Sequence, residues 1–238
     1  MPRERGAIGM FEHQVHERSG VHSGDRGEWG AHYPGAVAAT ALSVPAFKEW
    51  AVVVRALLEG EQVLDVRKGG LREEGRHFSV QSTRVWLYPT VEHQRTELIK
   101  PAYRRWVGET EAAAPADRAI AVAGWADIVG VATVDDPEVL DALDAKVIWA
   151  REYVESRFRW KARDPLHVLA LRVHRLAEPL VVVFRDEYGG CTSWVDVADL
   201  PDPERIISTP ALSEVAFDAR YKGASEVVGG FVPPVVAS

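Results

Sequence analysis

The most constraining feature of this sequence is a long stretch with strand character that runs directly into the clearest helical pattern of the chain. The first stretch is Ala119–Val134, which includes Gly124 and Gly130. Pro137 then opens residues 138–158, in which apolar positions recur at the spacing of one helical face. A chain that combines an extended segment with an amphipathic helix in this way is expected to be a mixed α and β protein.

Shorter segments on both sides continue this mixture. Residues 47–58 are predicted to form a helix, although three successive valines also favour a strand there. The other predicted strands are 62–67, 78–80, 84–88 (stopped by Pro89), 166–176 and 180–184, the last two joined by a turn through Glu178-Pro179. The other predicted helices are 91–106, interrupted by Pro101, and 211–221, and residues 109–117 are predicted to be a connection.

These segments predict an α+β fold: a small mixed or antiparallel β-barrel, or a curved sheet, flanked by helices. One domain is expected over residues 45–230. Residues 1–44 are rich in Gly, His, Arg and Ser and predict a disordered or loosely packed extension, and residues 231–238 predict a frayed tail. No glycine-rich nucleotide-binding fingerprint is present, which disfavours a doubly wound sheet.

Charge and composition exclude some classes of function. The net charge of −7 argues against a protein that coats nucleic acid without selectivity, because such binding needs a basic surface. A local basic groove remains open, since residues 151–175 contain seven basic and three acidic side chains. No apolar run approaches the roughly 20 residues of a membrane helix, and a single cysteine, Cys191, suits the reducing cytoplasm. We therefore expect a cytoplasmic protein.

The strongest candidate binding motif is Arg67-Lys68-Gly69-Gly70. Two cations leave the end of a strand, and the glycines that follow allow backbone N–H groups to converge on an anion. This pattern predicts a site for a phosphate or a carboxylate. The alternative is a loop in which the glycines only turn the chain and Arg67 pairs with the nearby Glu73 or Glu74.

The strongest candidate for catalysis is Glu92-His93, which follows Tyr88-Pro89-Thr90. Thr90 is predicted to cap a helix, which would place Glu92 and His93 in its first turn. A neutral histidine beside a carboxylate can act as a general base near neutral pH. The structural alternative is that Glu92 is there because the helix dipole favours an acidic residue in the first turn.

Two further segments carry binding residues or a reactive group. In Tyr188-Gly189-Gly190-Cys191, glycines could expose a thiolate, although a lone cysteine is more often a small buried apolar residue. Residues 157–163 alternate cations with aromatic rings, and Arg157 and Lys161 are the predicted contacts for a single strand of nucleic acid. The alternative for this segment is an ordinary basic helix end.

Four motifs in order resemble one bacterial family, the domain-of-unknown-function family 1802. They are Lys48-Glu49-Trp50, Val66-Arg67-Lys68-Gly69-Gly70-Leu71-Arg72-Glu73-Glu74, Leu87-Tyr88-Pro89-Thr90-Val91-Glu92-His93-Gln94 and Tyr188-Gly189-Gly190-Cys191-Thr192-Ser193-Trp194-Val195. The resemblance runs from about residue 47 to about residue 197 and implies no activity. A weaker resemblance, over residues 58–67, is to the opening of ASCH domains, small barrels related to RNA-binding PUA modules. That opening usually has a lysine where this chain has Gln62, so the resemblance transfers no catalysis.

We expect a protein that binds or processes nucleic acid or a nucleotide-like anion. Arg67, Lys68, Gly69, Gly70 and Glu73 are expected to surround the anion, with Tyr88, Glu92, His93 and Tyr188 near the base or the reacting group and Arg157 and Lys161 along one edge. One alternative is a metal-dependent hydrolase or nuclease that uses Glu49, Asp65, Glu73, Glu92 and His93. The other is a non-catalytic structural or partner-binding protein. The residues identify no cofactor and no oligomeric state.

Overall fold

The computed structural model describes residues 44–68, 79–116 and 118–236. The strands in this part of the chain are β1 (Ala46–Trp50), β2 (Leu64–Arg67), β3 (Arg84–Thr90), β4 (Ala119–Val134), β5 (Leu166–Val183), β6 (Trp194–Val195) and β7 (Ser208–Pro210). The helices are α1 (Ala51–Leu58), α2 (Arg104–Ala112), α3 (Val139–Asp144), α4 (Arg151–Arg159) and α5 (Glu214–Val228). Residues 1–43, and with them most of the predicted extension, lie outside the described residues, as do Gly69, Gly70 and Glu73.

The strands form one sheet in the order β2-β5-β4-β3-β1-β6, and β7 pairs with β5. β1 is parallel to β3, and the other strand pairs of the described residues are antiparallel. The predicted α+β fold with a curved sheet flanked by helices is confirmed, and the sheet is not closed into a barrel. No helix in the described ranges has both the length and the apolar character needed to cross a bilayer.

Alternating side chains of the strands enter two separate cores, as the two-residue period of a strand requires. Phe47 and Leu87 belong to the larger core, which also takes in buried residues of α1, α3, α4 and α5. Ala46 and Tyr88 belong to a smaller core on the other face, which Tyr188 and the segment after β6 complete. Both faces of β1 are therefore buried, which explains why its sequence shows no polar alternation.

The two ends of the sheet approach each other through side chains. β2 is an edge strand and β1 is next to the other edge. Even so, the Nη2 atom of Arg67 on β2 donates to the carbonyl oxygen of Lys48 on β1 at 2.7 Å. The sheet therefore curls strongly, and charged side chains instead of backbone hydrogen bonds bridge the remaining gap.

Three predicted elements near the N-terminus are corrected. The helix predicted over 47–58 begins only at Ala51, because Ala46–Trp50 pairs with β3 and β6 as strand β1. Strand β3 continues through Pro89 to Thr90, which is possible because β4 pairs only with Arg84–Trp86, so no partner on that side needs an N–H from Pro89. The helix predicted over 91–106 is replaced by short 3-10 turns as far as Tyr103, and α2 runs from Arg104 to Ala112, into the first part of the predicted connection.

The C-terminal half has similar corrections. The helix predicted over 138–158 is two helices, because the backbone around Trp149 leaves the helix to bridge Ile99. The two strands predicted over 166–184 are one strand, β5, with an irregular register opposite β4 where the turn was expected. Residues after α5 lie against the sheet, where Val131 and Val232 exchange backbone hydrogen bonds of 2.9 Å.

Candidate functional site

Strands β1 and β3 end side by side, and the polar side chains of several predicted motifs meet there. Lys48 is in register with Tyr88, and Trp50 with Thr90. The carboxyl ends of parallel strands form a common edge, where binding sites in sheet proteins are frequently built. Because neighbouring residues of β1 point to opposite faces, Lys48 and Glu49 organise two different polar clusters.

The first cluster surrounds the guanidinium of Arg67. Its Nη2 atom lies 2.6 Å from Oε2 of Glu49, and its Nε atom lies 3.1 Å from Oδ1 of Asp65. The guanidinium also lies over the ring of Phe47, 4.2 Å from the centroid. We call Glu49, Asp65 and Arg67 the carboxylate cluster. The arginine predicted to hold an external anion is therefore paired with two acidic side chains of its own chain.

Burial decides the ionisation of this cluster. Asp65 has no exposed surface, and burial raises the pKa of its carboxyl group to about 8; Arg67 acts to lower the pKa, whereas Glu49 raises it by charge and by hydrogen bonding. The carboxyl group of Asp65 therefore keeps its proton to a higher pH than an exposed aspartate does.

The second cluster surrounds the amine of Lys48, which is 8% exposed. Its Nζ atom donates to the carbonyl oxygens of Tyr188 at 2.7 Å and Gly190 at 2.8 Å. Burial lowers the pKa of Lys48, and the nearby Glu92 and Cys191 oppose that effect. Lys48 thus fixes the glycine-containing loop, at which Cys191 is exposed.

Tyr88 and Tyr188 lie together beside Lys48. Their rings are 6.5 Å apart in an edge-on arrangement, and the Lys48 amine lies 5.9 Å from the centroid of the Tyr88 ring. Burial raises the pKa of Tyr88 to about 12, with Tyr188 and Glu92 acting in the same direction. The Tyr88 hydroxyl is buried and has no hydrogen-bond partner among the described residues.

Replacing Tyr88 with phenylalanine is expected to raise the free energy of unfolding by about 1 kcal/mol, because a buried hydroxyl without a partner is a net cost. Chemical denaturation of the wild-type protein and of the Tyr88→Phe variant measures this change. Tyr153→Phe is the control: its hydroxyl accepts a hydrogen bond from Nε of Arg157 at 3.0 Å, so its removal is expected to destabilise. A clear loss of stability in Tyr88→Phe would mean that the hydroxyl makes a stabilising contact.

The Glu92-His93 segment does not form the predicted first helical turn. It is an exposed turn, and His93 has a left-handed φ of 64°. Thr90 does not cap a helix; its hydroxyl donates to the carbonyl oxygen of Glu49 at 3.2 Å. This segment instead contacts the N-terminus of α1, where Oε1 of Gln94 accepts a hydrogen bond from the amide of Val52 at 2.9 Å. The motif therefore joins the ends of β1 and β3 to α1.

Lys68 points away from the carboxylate cluster, as expected for the residue next to Arg67 at the end of a strand. Its amine donates to the carbonyl oxygen of Phe158. Lys68 also lines a cavity of about 260 Å³, together with residues from the end of β4, from α4 and from the segment after α4. We call this cavity the Lys68 pocket. The other residues that line it are Thr133, Asp135, Phe158, Ala162, Arg163, Asp164 and Pro165.

The two predicted nucleic-acid contacts of the basic segment lie in different surroundings. Arg157 lies over the ring of Tyr153, 5.1 Å from the centroid, and Tyr153 is itself buried beside the carboxylate cluster. Lys161 lies 4.6 Å from the centroid of the Trp160 ring. The segment as a whole borders the Lys68 pocket through Phe158, Ala162 and Arg163.

The described residues offer no group of three acidic, histidine or cysteine side chains that could hold a metal ion. Glu49 and Asp65 lie together, whereas Glu92 is near Lys48 on the other face of β1. Gln62, at the position where the ASCH opening usually has a lysine, is buried. Its side chain accepts from the amide of Ile148 and donates to the carbonyl oxygen of Leu64, both at 2.8 Å. Gln62 therefore connects backbone segments.

The predicted site residues thus fall into three places. Arg67 belongs to the carboxylate cluster, and Arg157 lies close to it. Tyr88, Tyr188 and Glu92 are near Lys48, with His93 exposed in the adjoining turn. Lys68 lines the pocket, beside the segment that contains Lys161. Lys48 was missed as a site residue, although it stands in the first of the four family-like motifs. A Lys-Glu pair flanked by two aromatic residues, Phe47 and Trp50, was the signal that could have identified it.

The motifs that meet around β1 are those that resembled a known family, and a family model matches the chain. The model is that of the domain of unknown function DUF1802, and it matches residues 46–222. The chain belongs to DUF1802. No curated protein matches the sequence. In this member of DUF1802, strand β1 is the element to which residues of the other three motifs attach: Arg67, Tyr88 and Tyr188 all contact Lys48 or its neighbours.

Solved structures with some similarity to this DUF1802 chain are ASCH proteins from Zymomonas mobilis. The alignment with one of them covers 66% of this chain and 89% of the ASCH protein, with 13% sequence identity and a TM-score of 0.39. The alignment with a point variant of that protein covers 66% of this chain and 91% of the variant, with 11% sequence identity and a TM-score of 0.39. The second resemblance seen in the sequence therefore recurs among solved structures. At this level of similarity it carries no argument about what DUF1802 proteins do.

Proposed function

We propose that this protein binds a phosphorylated, nucleotide-like ligand in the Lys68 pocket. The observation that carries the proposal is that the pocket is built from the two segments whose sequences predicted anion binding. Lys68, from the Arg-Lys-Gly-Gly motif, lines one side, and Phe158, Ala162 and Arg163, from the basic segment 157–163, line the other. Lys68 and Phe158, which a hydrogen bond joins, are 90 residues apart in the sequence.

The pocket offers a cation that an anionic ligand would stabilise. Lys68 is 6% exposed, and burial lowers the pKa of its amine while the nearby Asp164 opposes that effect. A partly desolvated ammonium group gains more from an incoming phosphate than a fully hydrated one does. Of the two adjacent cations, Lys68 lines the cavity, whereas Arg67 is engaged by Glu49 and Asp65.

The lining suits a nucleotide better than a simple anion. Arg163 adds a second cation, while Asp135 and Asp164 add carboxylates and Thr133 a hydroxyl group. The carboxylates would repel inorganic phosphate, but they can accept hydrogen bonds from base amino groups and from ribose hydroxyls. The volume of about 260 Å³ lies just below the roughly 300–1,000 Å³ of common small-molecule sites, so it suits one nucleotide unit.

Selective binding in one pocket also agrees with the charge of the chain. A net charge of −7 repels phosphate backbones over most of the surface. Affinity must then come from local contacts, and it should decrease only moderately with added salt, because few phosphates are neutralised.

We expect Lys68→Met to weaken the binding of adenosine monophosphate by about 10-fold or more, because a hydrogen bond to a charged group is worth about 1.5–3 kcal/mol. Methionine keeps much of the apolar stem, and a thermal melt verifies that the variant is folded. Lys222→Met is the matched control, since Lys222 is an exposed lysine on α5. Isothermal titration calorimetry measures the affinities. Equal affinities for the wild type and Lys68→Met, or no binding by the wild type, would contradict the proposal.

A further inference from the structure

We infer that the ligand of the Lys68 pocket is a single strand of nucleic acid, and that Trp160 stacks on the base next to the nucleotide in the pocket. This inference rests on the proposed function and specifies its ligand. It assigns to Trp160 a role in binding instead of in packing the core.

The ring of Trp160 is accessible at the end of α4. Trp160 is 38% exposed, whereas Trp86, Trp149 and Trp194 are buried in the two cores. The residue follows the last turn of the helix in an extended conformation. An exposed tryptophan leaves a large apolar face in water, which a stacked base would cover.

Trp160 also lies close to the pocket. Phe158 and Ala162, each two residues away, both line the cavity. Because successive Cα atoms are about 3.8 Å apart, the Cα of Trp160 lies within about 7.6 Å of the Cα atoms of both lining residues. Bases of a stacked strand repeat about every 3.4 Å. A Trp160 ring turned towards the pocket would therefore reach the first or second base outside it.

The local backbone keeps this arrangement compact. Lys161 adopts a left-handed conformation with a φ of 49°, and the amide of Asp164 donates to the carbonyl oxygen of Lys161 at 2.8 Å. A left-handed conformation outside glycine is unfavourable unless the surroundings impose it. Here the turn brings Ala162 and Arg163 to the wall of the pocket directly after the exposed ring.

Cationic side chains flank the exposed ring along the sequence. Arg159 precedes it, with a side chain that is 77% exposed, and Lys161 follows it with its amine 4.6 Å from the ring centroid. Alternating cations and rings suit a single strand, in which phosphates and unstacked bases alternate. A duplex keeps its base faces covered and offers nothing for Trp160 to stack on.

The experiment compares adenosine monophosphate with single-stranded DNA and RNA of about ten nucleotides, a length within the range of common site sizes, and with a duplex of the same length. We expect the wild type to bind a single strand more tightly than the mononucleotide. Trp160→Ala should weaken binding of the strand about 10-fold, since stacking accounts for that much per base, and leave mononucleotide binding unchanged. Trp160→Phe should restore most of the loss, and Lys68→Met should weaken both ligands.

The outcomes separate this inference from the proposed function. If Trp160→Ala binds the strand as tightly as the wild type, or if a duplex binds as tightly as a single strand, the inference is overturned while the pocket remains a nucleotide site. If the wild type binds none of the probes, the proposed function fails and the inference fails with it. A loss in Trp160→Ala confined to the DNA or the RNA arm supports the inference and identifies the sugar.

Discussion

We expect the Arg67→Met variant to lose about 3–5 kcal/mol of its free energy of unfolding near neutral pH, because removing one partner of a buried ion pair leaves an uncompensated charge. The side chain of Arg67 is 16% exposed and that of Glu49 is 6% exposed, so water cannot replace the lost guanidinium. Arg67 also joins β2 to β1 through the carbonyl oxygen of Lys48. Its loss therefore weakens the contact between the two ends of the sheet.

A second arginine provides a matched control for this variant. Arg55 also lies 2.6 Å from a glutamate, Glu109, and also lies over an aromatic ring, that of Trp106. Its pair is more exposed, at 32% and 48% for the two side chains. Arg55→Met should therefore cost only about 0–1 kcal/mol. Urea denaturation measures the free energy of unfolding of both variants. Equal losses of stability would show that the buried ion pair of Arg67 contributes no more than the exposed pair of Arg55.

The second large effect concerns the pH dependence of stability. Asp65 has an ordinary pKa of 3.8, which burial raises to about 8 in the folded protein. Between these values the unfolded chain has released a proton that the folded chain retains. The stability contributed by the protonated carboxyl is therefore complete below about pH 4 and is lost as the pH rises towards about 8, by an amount on the order of 5 kcal/mol.

Asp65→Asn should remove this pH dependence, because asparagine resembles the protonated carboxyl group and does not titrate. We expect the variant to gain stability relative to the wild type as the pH rises across that window. Glu49→Gln should have an intermediate effect, since Glu49 raises the pKa of Asp65 in the folded protein, and its loss lowers the upper end of the pH window. Denaturation curves across the window test this, and parallel pH profiles for the wild type and Asp65→Asn would contradict it.

Some parts of the fold could be predicted because their signals are local. Ala119–Val134 was predicted with its observed bounds, since its residues favour a strand and clear loop signals flank it. β1 was predicted as part of a helix because both of its faces are buried, so its side chains give no alternating pattern. The break between α3 and α4 was also missed. It depends on a backbone bridge from Trp149 to Ile99, which lies far away in the sequence.

The predicted site differs from the observed one for the same reason: local signals could be read from the sequence, whereas contacts between distant residues could not. Adjacent residues of a strand point to opposite faces, so Arg67 and Lys68 face different surroundings, and the period of the strand alone could have shown this. The partners of Arg67 were not predictable in the same way. Glu49 comes within 2.6 Å of Arg67 only because the curled sheet brings β1 towards β2.

The sequence by itself determined the class of the fold, the family-like motifs and the two segments rich in cations, because these depend on the order and the chemistry of neighbouring residues. The tertiary structure decided which cation is neutralised and which lines a cavity. Lys68 lies against the end of α4 and the segment after it, whereas Arg67 is enclosed with Glu49 and Asp65. The physical reason is that charge compensation and burial depend on groups that are distant in the chain, and only folding brings those groups together.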